Sequence, residues 1–180
     1  MKTIPLLGMT AFLLAACSGT VDSRYYLLST VPPSASAAPG AKAVAVSAVH
    51  LPGVLDRPEL VVRTGAETVD ILEFDRWAEP LDQMVPRVLA QDLSSRLPAA
   101  ASSDGSERRL HVVIDEFMSD QAGGARLAGK WWTLERDQTS AAKQEHGFVL
   151  ATSTSGGQGR QIAAALSSLL GQLADDIARE

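Results

Sequence analysis

Cysteine is nearly missing from this chain: Cys17 stands alone in 180 residues. A single thiol excludes an internal disulfide framework and a multi-thiolate metal site, so the fold has to rest on packing. Surplus positive charge is missing as well. Lys and Arg number 16 against 21 Asp and Glu, a formal net charge of −5, which excludes the basic footprint of a nucleic-acid binder or of a protein held by anionic headgroups. The three histidines, His50, His111 and His146, are far apart and make no His-x-x-x-His pair, so neither a metal centre nor any other cofactor is indicated. A Gly-x-Ser-x-Gly elbow is absent, which leaves a serine hydrolase resting on composition alone. No apolar run approaches the roughly 20 residues of a membrane-spanning helix, and no period of about 20–50 residues repeats, which excludes solenoids and propellers.

What is present begins at the amino terminus. Lys2 supplies a positive region, Ile4 to Leu14 an apolar segment, and Ala15-Ala16 small residues ahead of Cys17, the layout of an export leader. Leu14-Ala15-Ala16-Cys17 resembles the bacterial lipobox, in which the thiol takes a diacylglyceryl group, the preceding peptide is cut away and the new amino terminus is acylated, palmitate being the usual chain. The resemblance implies that residues 1–16 are removed and that Cys17 is the lipid-bearing first residue. The competing account is an ordinary leader with a free thiol, a liability in an oxidising compartment. Ser18 in place of an aspartate implies, by the lipoprotein sorting rule, an anchor in the outer membrane and a domain facing the periplasm. Ser18 to Arg24 forms a short tether, reaching about 25 Å at ~3.3–3.6 Å per extended residue.

Residues 25–180 read as one domain, enough to enclose a single core. Tyr25 to Leu28 has the character of a short strand, followed by a Pro-, Ala- and Ser-rich loop over 31–40 that cannot hold a ladder. Ala43 to Leu51, apolar on both faces, predicts a central strand. Glu59 to Thr64 and Thr68 to Phe74 predict two strands joined by a hairpin turn over Thr64–Glu67. Leu81, Met84, Val85, Val88, Leu89, Leu93 and Leu97 keep helical spacing, with Asp92 as the one charged member of the stripe and Pro86 predicting a kink or an irregular first turn. Arg109–Met118, Ala125–Arg136 and Glu145–Thr152 predict an antiparallel meander, and Ile162 to Ile177 a second amphipathic helix. The sum is an α+β domain: a largely antiparallel sheet of about six to seven strands with both helices on one face.

Ser155-Gly156-Gly157-Gln158-Gly159-Arg160 lacks the Gly-Lys-Ser/Thr of a phosphate loop and reads as a capping loop. Trp131 and Trp132 point to opposite faces of their strand, one toward the core and the other available as an interface aromatic. Asp56, Arg57, Arg76 and Glu79 crowd around prolines and Trp77 in segments that are neither plain strand nor plain helix. They serve either a structural corner, with Arg76 paired to Asp56 above Trp77 and Pro80 opening the helix, or contact with a partner.

Tyr25-Tyr26-Leu27-Leu28, Leu51-Pro52-Gly53-Val54-Leu55-Asp56-Arg57-Pro58-Glu59-Leu60-Val61-Val62-Arg63 and Arg76-Trp77-Ala78-Glu79-Pro80-Leu81, in that order behind a lipobox, resemble the PqiC-like family of ABC-type transport auxiliary lipoproteins. The resemblance covers most of the mature chain. It implies a non-enzymatic outer-membrane partner of a periplasm-spanning MCE-type lipid transporter, supporting envelope integrity, and a homo-oligomer matched to a symmetric tunnel is compatible with it. Two rival functions remain at this stage: a carrier holding an acyl chain between sheet and helices, and a periplasmic hydrolase with a convergent Ser, His and carboxylate site.

Overall fold

The computed structural model describes residues 22–34, 41–98, 108–135, 144–153 and 158–180. The expected leader, Cys17 and the first part of the tether lie outside the described residues. The elements are β1 (Arg24–Tyr26), β2 (Val44–His50), β3 (Glu59–Arg63), β4 (Val69–Trp77), α1 (Leu81–Ser94), β5 (Arg108–Asp120), β6 (Gly124–Leu134), β7 (His146–Ser153) and α2 (Gly159–Ala178), with a single 3-10 turn at Gly53–Leu55.

One mixed, open sheet runs β1-β4-β3-β5-β6-β7. Its long ladders, β3–β4, β5–β6 and β6–β7, are antiparallel. The meander of the last three strands is the one that alternation predicted. Three pairings are parallel: β1 to β4, β2 to β5 and β3 to β5. Because β6 occupies one edge of β5, the other edge is shared, β2 taking Arg108–Val113 and β3 taking Ser119–Asp120. The expectation of a central β2 needs correction: its only ladder is with β5. Its apolarity on both faces reflects packing against α1, not neighbours on both edges.

Alternation on β5 and β6 fixes the two sides. Leu110, Val112, Ile114, Phe117, Leu127 and Trp131 are buried on the helix-covered side, while His111 pairs with Trp132 and Val113 with Lys130 on the other. An extra residue between Ile114 and Glu116 restores the phase after Asp115. Both helices lie on the inner side, α2 against β5, β6 and β7 and α1 against β2 and α2. Leu60, Met84, Leu89, Leu110, Leu127, Leu169, Leu170 and Leu173 are closed to solvent there. Pro86 sits inside α1, yet the helix runs unbroken from Leu81 to Ser94; the missing donor costs one bond, to the carbonyl of Asp82, early in the helix. Gln158, within the stretch expected to cap α2, does so, it and Gln161 satisfying each other's backbone amides; Ser155 to Gly157 lie outside the described residues.

The segment after β1 takes an unexpected course. Leaving the ladder after Tyr26, it threads between α1 and α2, and side chains of the helices satisfy its backbone. Ser29 N donates to Ser167 Oγ at 3.0 Å and Val31 N to Asp92 Oδ1 at 2.8 Å. The Arg96 guanidinium donates to the carbonyls of Val31 (3.1 Å) and Pro32 (3.4 Å), and the Ser34 hydroxyl donates to Asp175. Gly171 makes room for it, since a Cβ there would stand 2.8 Å from that of Val31. Arg96 is fully enclosed, with its Nε 2.6 Å from Asp175 Oδ1 and an Nη 3.7 Å from Asp92 Oδ1.

The two carboxylates respond differently to this enclosure. Burial pushes Asp92 above the usual value, more than Val31 N–H and Arg96 pull it down. Burial acts the same way on Asp175, but the Ser34 hydroxyl and Arg96 outweigh it and hold that carboxyl below its usual value. For Asp92, whose folded pKa is raised, the contribution to stability is complete below the unfolded pKa and is lost as pH rises through the folded one. For Asp175, whose folded pKa is lowered, the contribution is present above the unfolded pKa and is lost as pH falls through the folded one. Asp92→Asn removes only the first, because an amide oxygen still accepts from Val31. Measured by urea midpoints, the variant should therefore compare better with wild type near neutral pH than near about pH 4. An unchanged difference would unlink Asp92 ionisation from folding.

Candidate functional site

A cleft of about 580 Å³ is built from parts of two of the motif stretches. One wall is the turn between β2 and β3. Pro52, already extended (φ −62°, ψ 140°), precedes the 3-10 turn, whose bonds are Leu55 N to Pro52 O (2.9 Å) and Asp56 N to Gly53 O (3.1 Å). Leu55 is buried and pins the turn to the core, leaving Asp56 exposed and Arg57 half-buried at the rim. Trp77, 5 % exposed, lines the interior, and its N–H donates to Pro58 O at 2.6 Å, joining the walls. The second wall is the corner Ala78–Asp82. Ala78 N donates to Tyr26 O, and Pro80 precedes α1, its carbonyl accepting from Gln83 and Met84. Pro80 thus stands at the N-cap, one place earlier than a first-turn proline. Asp82 lies in the first turn, where an acid suits the helix dipole.

Asp56, Arg57, Trp77 and Glu79 therefore meet at one cleft, with His50 beside them. Glu79 pairs with Arg87 at 2.7 Å, both half-exposed. The Nε of Arg57 is shut off from solvent without a hydrogen-bond partner, the group here with most to gain from an incoming acceptor. Arg76 does not join them. It follows Asp75 and precedes Trp77 on a strand whose faces alternate, so it points away and pairs with Glu59, its cross-strand neighbour, at 3.0 Å. The expected Arg76–Asp56 ion pair is not formed. Trp132 is also elsewhere, stacked on His111 on the outer side of the sheet (centroids 5.4 Å apart, 4° between planes), while Trp131 is the core member and stacks on His146. His111 and His146 thus lie on opposite sides and His50 at the cleft, so the three do not converge. Among the described residues no group of His, Cys, Asp or Glu is arranged to hold a metal, and no helix is long and apolar enough to cross a membrane.

Two features were missed in the sequence. Asp75, 8 % exposed, accepts from Arg24 Nη2 (3.0 Å) and Tyr26 OH (2.7 Å), fastening β1 to β4; burial and that bond raise the tyrosine's pKa. The Arg96 cluster did leave a trace, Asp92 on an apolar stripe with Arg96 four residues on, a spacing that pairs side chains on a helix.

The sheet order, the two helices on one side and the two motif stretches at a single cleft belong to a chain whose relatives are transport auxiliary lipoproteins. The chain belongs to the family of ABC-type transport auxiliary lipoprotein components, whose model matches residues 26–178. It is 29% identical over 133 residues to the intermembrane transport lipoprotein PqiC of Escherichia coli, covering 70% of this chain and 71% of that one. The PqiC of Shigella flexneri matches to the same extent. In fold it resembles the crystal structure of an uncharacterized protein (TM-score 0.72, 23% identity, 88% of this chain and 97% of the other) and a Xanthomonas campestris protein (TM-score 0.68, 19% identity, 86% and 92%).

Proposed function

We propose that this chain is the outer-membrane-anchored docking component of a periplasm-spanning MCE-type lipid transport system. Cys17 carries the lipid, the domain faces the periplasm, and the role is binding rather than catalysis. One observation carries the proposal: parts of two of the three stretches that resemble the family, within Leu51–Pro58 and Trp77–Leu81, line a single cleft. An extended peptide segment of the transporter fits its character, apolar contact coming from Leu51, Pro52 and Trp77 and polar contact from Asp56, Arg57 and Glu79. The carrier alternative draws less support, because the space between sheet and helices is filled by closed-off side chains.

A photocrosslinking residue in place of Asp56 or Glu79 in cells should capture an MCE-type protein, and one in place of Trp132 should not. Arg57→Glu should cut that capture by about tenfold, the loss of one charge-assisted contact worth ~1.4 kcal/mol, with an unchanged urea midpoint. Capture from Trp132 but not from the cleft would refute the assignment.

A further inference from the structure

The parallel register of β1 on β4 fixes a direction. Arg24 pairs with Asp75 and Tyr26 with Trp77, so the chain enters β1 from the side of the β3–β4 hairpin and leaves it beside the cleft. Val69, at the hairpin, and Trp77, in the cleft, are the two ends of β4, about 26 Å apart at ~3.3 Å per strand residue. Along that route lie apolar side chains that a free surface has no use for: Tyr25 is 63 % exposed, Ile71 43 %, Phe74 42 % and Val69 39 %. The charged neighbours are of both signs: Asp70 and Glu73 are exposed, while Arg24, Arg63 and Arg76 beside Tyr25 and Val69 are paired with Asp75, Glu116 and Glu59. Arg24 follows Cys17 by only seven positions, a reach of about 25 Å, close to the distance from Asp75 back to the hairpin tip.

From this geometry we infer that the hairpin end of the sheet is seated on the lipid surface, with Val69, Ile71, Phe74 and Tyr25 in the interfacial layer and the cleft at the far end, pointing away from the membrane. The occupant of the patch is the bilayer, because β1 is entered from that end and the proposed lipid of Cys17 precedes it by no more than about 25 Å. Aliphatic and tyrosine side chains are suited to the water–lipid boundary. Four partly exposed side chains bind a membrane weakly by themselves, but a tether raises their effective concentration at the surface. With these arginines already paired to carboxylates and Asp70 and Glu73 exposed beside them, the contact is one of apolar insertion, without help from anionic headgroups. The inference rests on the proposed anchor at Cys17.

The test uses the full lipidated protein in vesicles of phosphatidylethanolamine and phosphatidylglycerol containing a headgroup-nitroxide lipid. Bimane is attached at Val69→Cys, Ile71→Cys or Glu79→Cys, one site at a time. Quenching at the first two sites should exceed that at the third several-fold, and raising the phosphatidylglycerol fraction should not strengthen it. Equal or reversed quenching in protein that carries lipid by intact mass and floats with the vesicles overturns the orientation and spares the anchor. A chain without lipid on Cys17 overturns both. Shielding of the Ile71→Cys probe from aqueous iodide before vesicles are added shows the patch to be covered by a second copy, and also overturns the seat on lipid.

Discussion

Arg96→Ala should lower the unfolding free energy by about 3–5 kcal/mol, the range for removing one member of a buried ion pair, out of the ~5–15 kcal/mol typical of a whole domain. The guanidinium, itself closed to water, reaches Asp175 at 2.6 Å and the carbonyls of Asp92 (2.8 Å), Val31 (3.1 Å) and Gly171 (3.2 Å). Alanine would leave two carboxylates near one another in a dry groove, and carbonyl groups from three separate parts of the chain without their donor. Arg96→Lys should recover only part of the loss, because one ammonium cannot reproduce the planar fork. Urea titration gives the magnitude, and amide exchange gives the location: residues 28–34 should lose protection before the sheet does. A loss below ~1 kcal/mol would mean that water or side-chain rearrangement compensates for the missing cation.

Gly129→Val should cost about 3 kcal/mol or more, the upper end of overpacking. Gly129 faces the helices between Ile114 of β5 and Phe148 of β7. A Cβ there would stand 2.1 Å from the carbonyl oxygen of Val113 and 3.0 Å from Cα of Ile114, with the Phe148 ring at 3.1 Å. The ring can turn away. The backbone of β5 cannot move without breaking the ladders on both of its edges. Gly147, on the other side of the same sheet, meets nothing within 4 Å, and Gly147→Ala should be neutral or gain up to ~1 kcal/mol from a less flexible unfolded chain. Similar losses from the two variants, compared by thermal or urea unfolding, would show that strand entropy rather than the close approach sets the cost at Gly129.

These two sites also mark how far the fold could be read from the chain. The meander and α2 were legible because their apolar spacing, period two in Leu110, Val112 and Ile114 and three to four in Ile162, Leu166, Leu169 and Leu173, reports burial directly. The hairpin at Thr64–Glu67 followed from its turn chemistry. Pairing partners were not legible, because β2 carries the same small apolar residues that a doubly paired strand would carry. The course of residues 28–34 was hidden for a different reason: helix side chains, distant in sequence, satisfy its backbone, and no local pattern announces such partners. At the cleft, the clustering of Asp56, Arg57, Trp77 and Glu79 was legible as unusual sequence. Which of them meet depended on register: Glu59 lies opposite Arg76 and takes the partner that Asp56 had been assigned.

The attachment of β1 also has a mechanical meaning. A bilayer moves, and under the anchor proposed at Cys17 every displacement would pull on Arg24. Because β1 lies parallel to β4, the pull is directed along the strand axis, and the bonds of the ladder, with the Arg24 and Tyr26 links to Asp75, resist together instead of opening one after another. Behind them the segment gripped by Asp92, Arg96 and Asp175 is a second stop. Detachment under tension is governed by how fast such a structure opens rather than by its equilibrium stability. With the proposed anchor, residues 24–34 would act as a strain relief, so that tugging at the membrane is absorbed before it deforms the cleft.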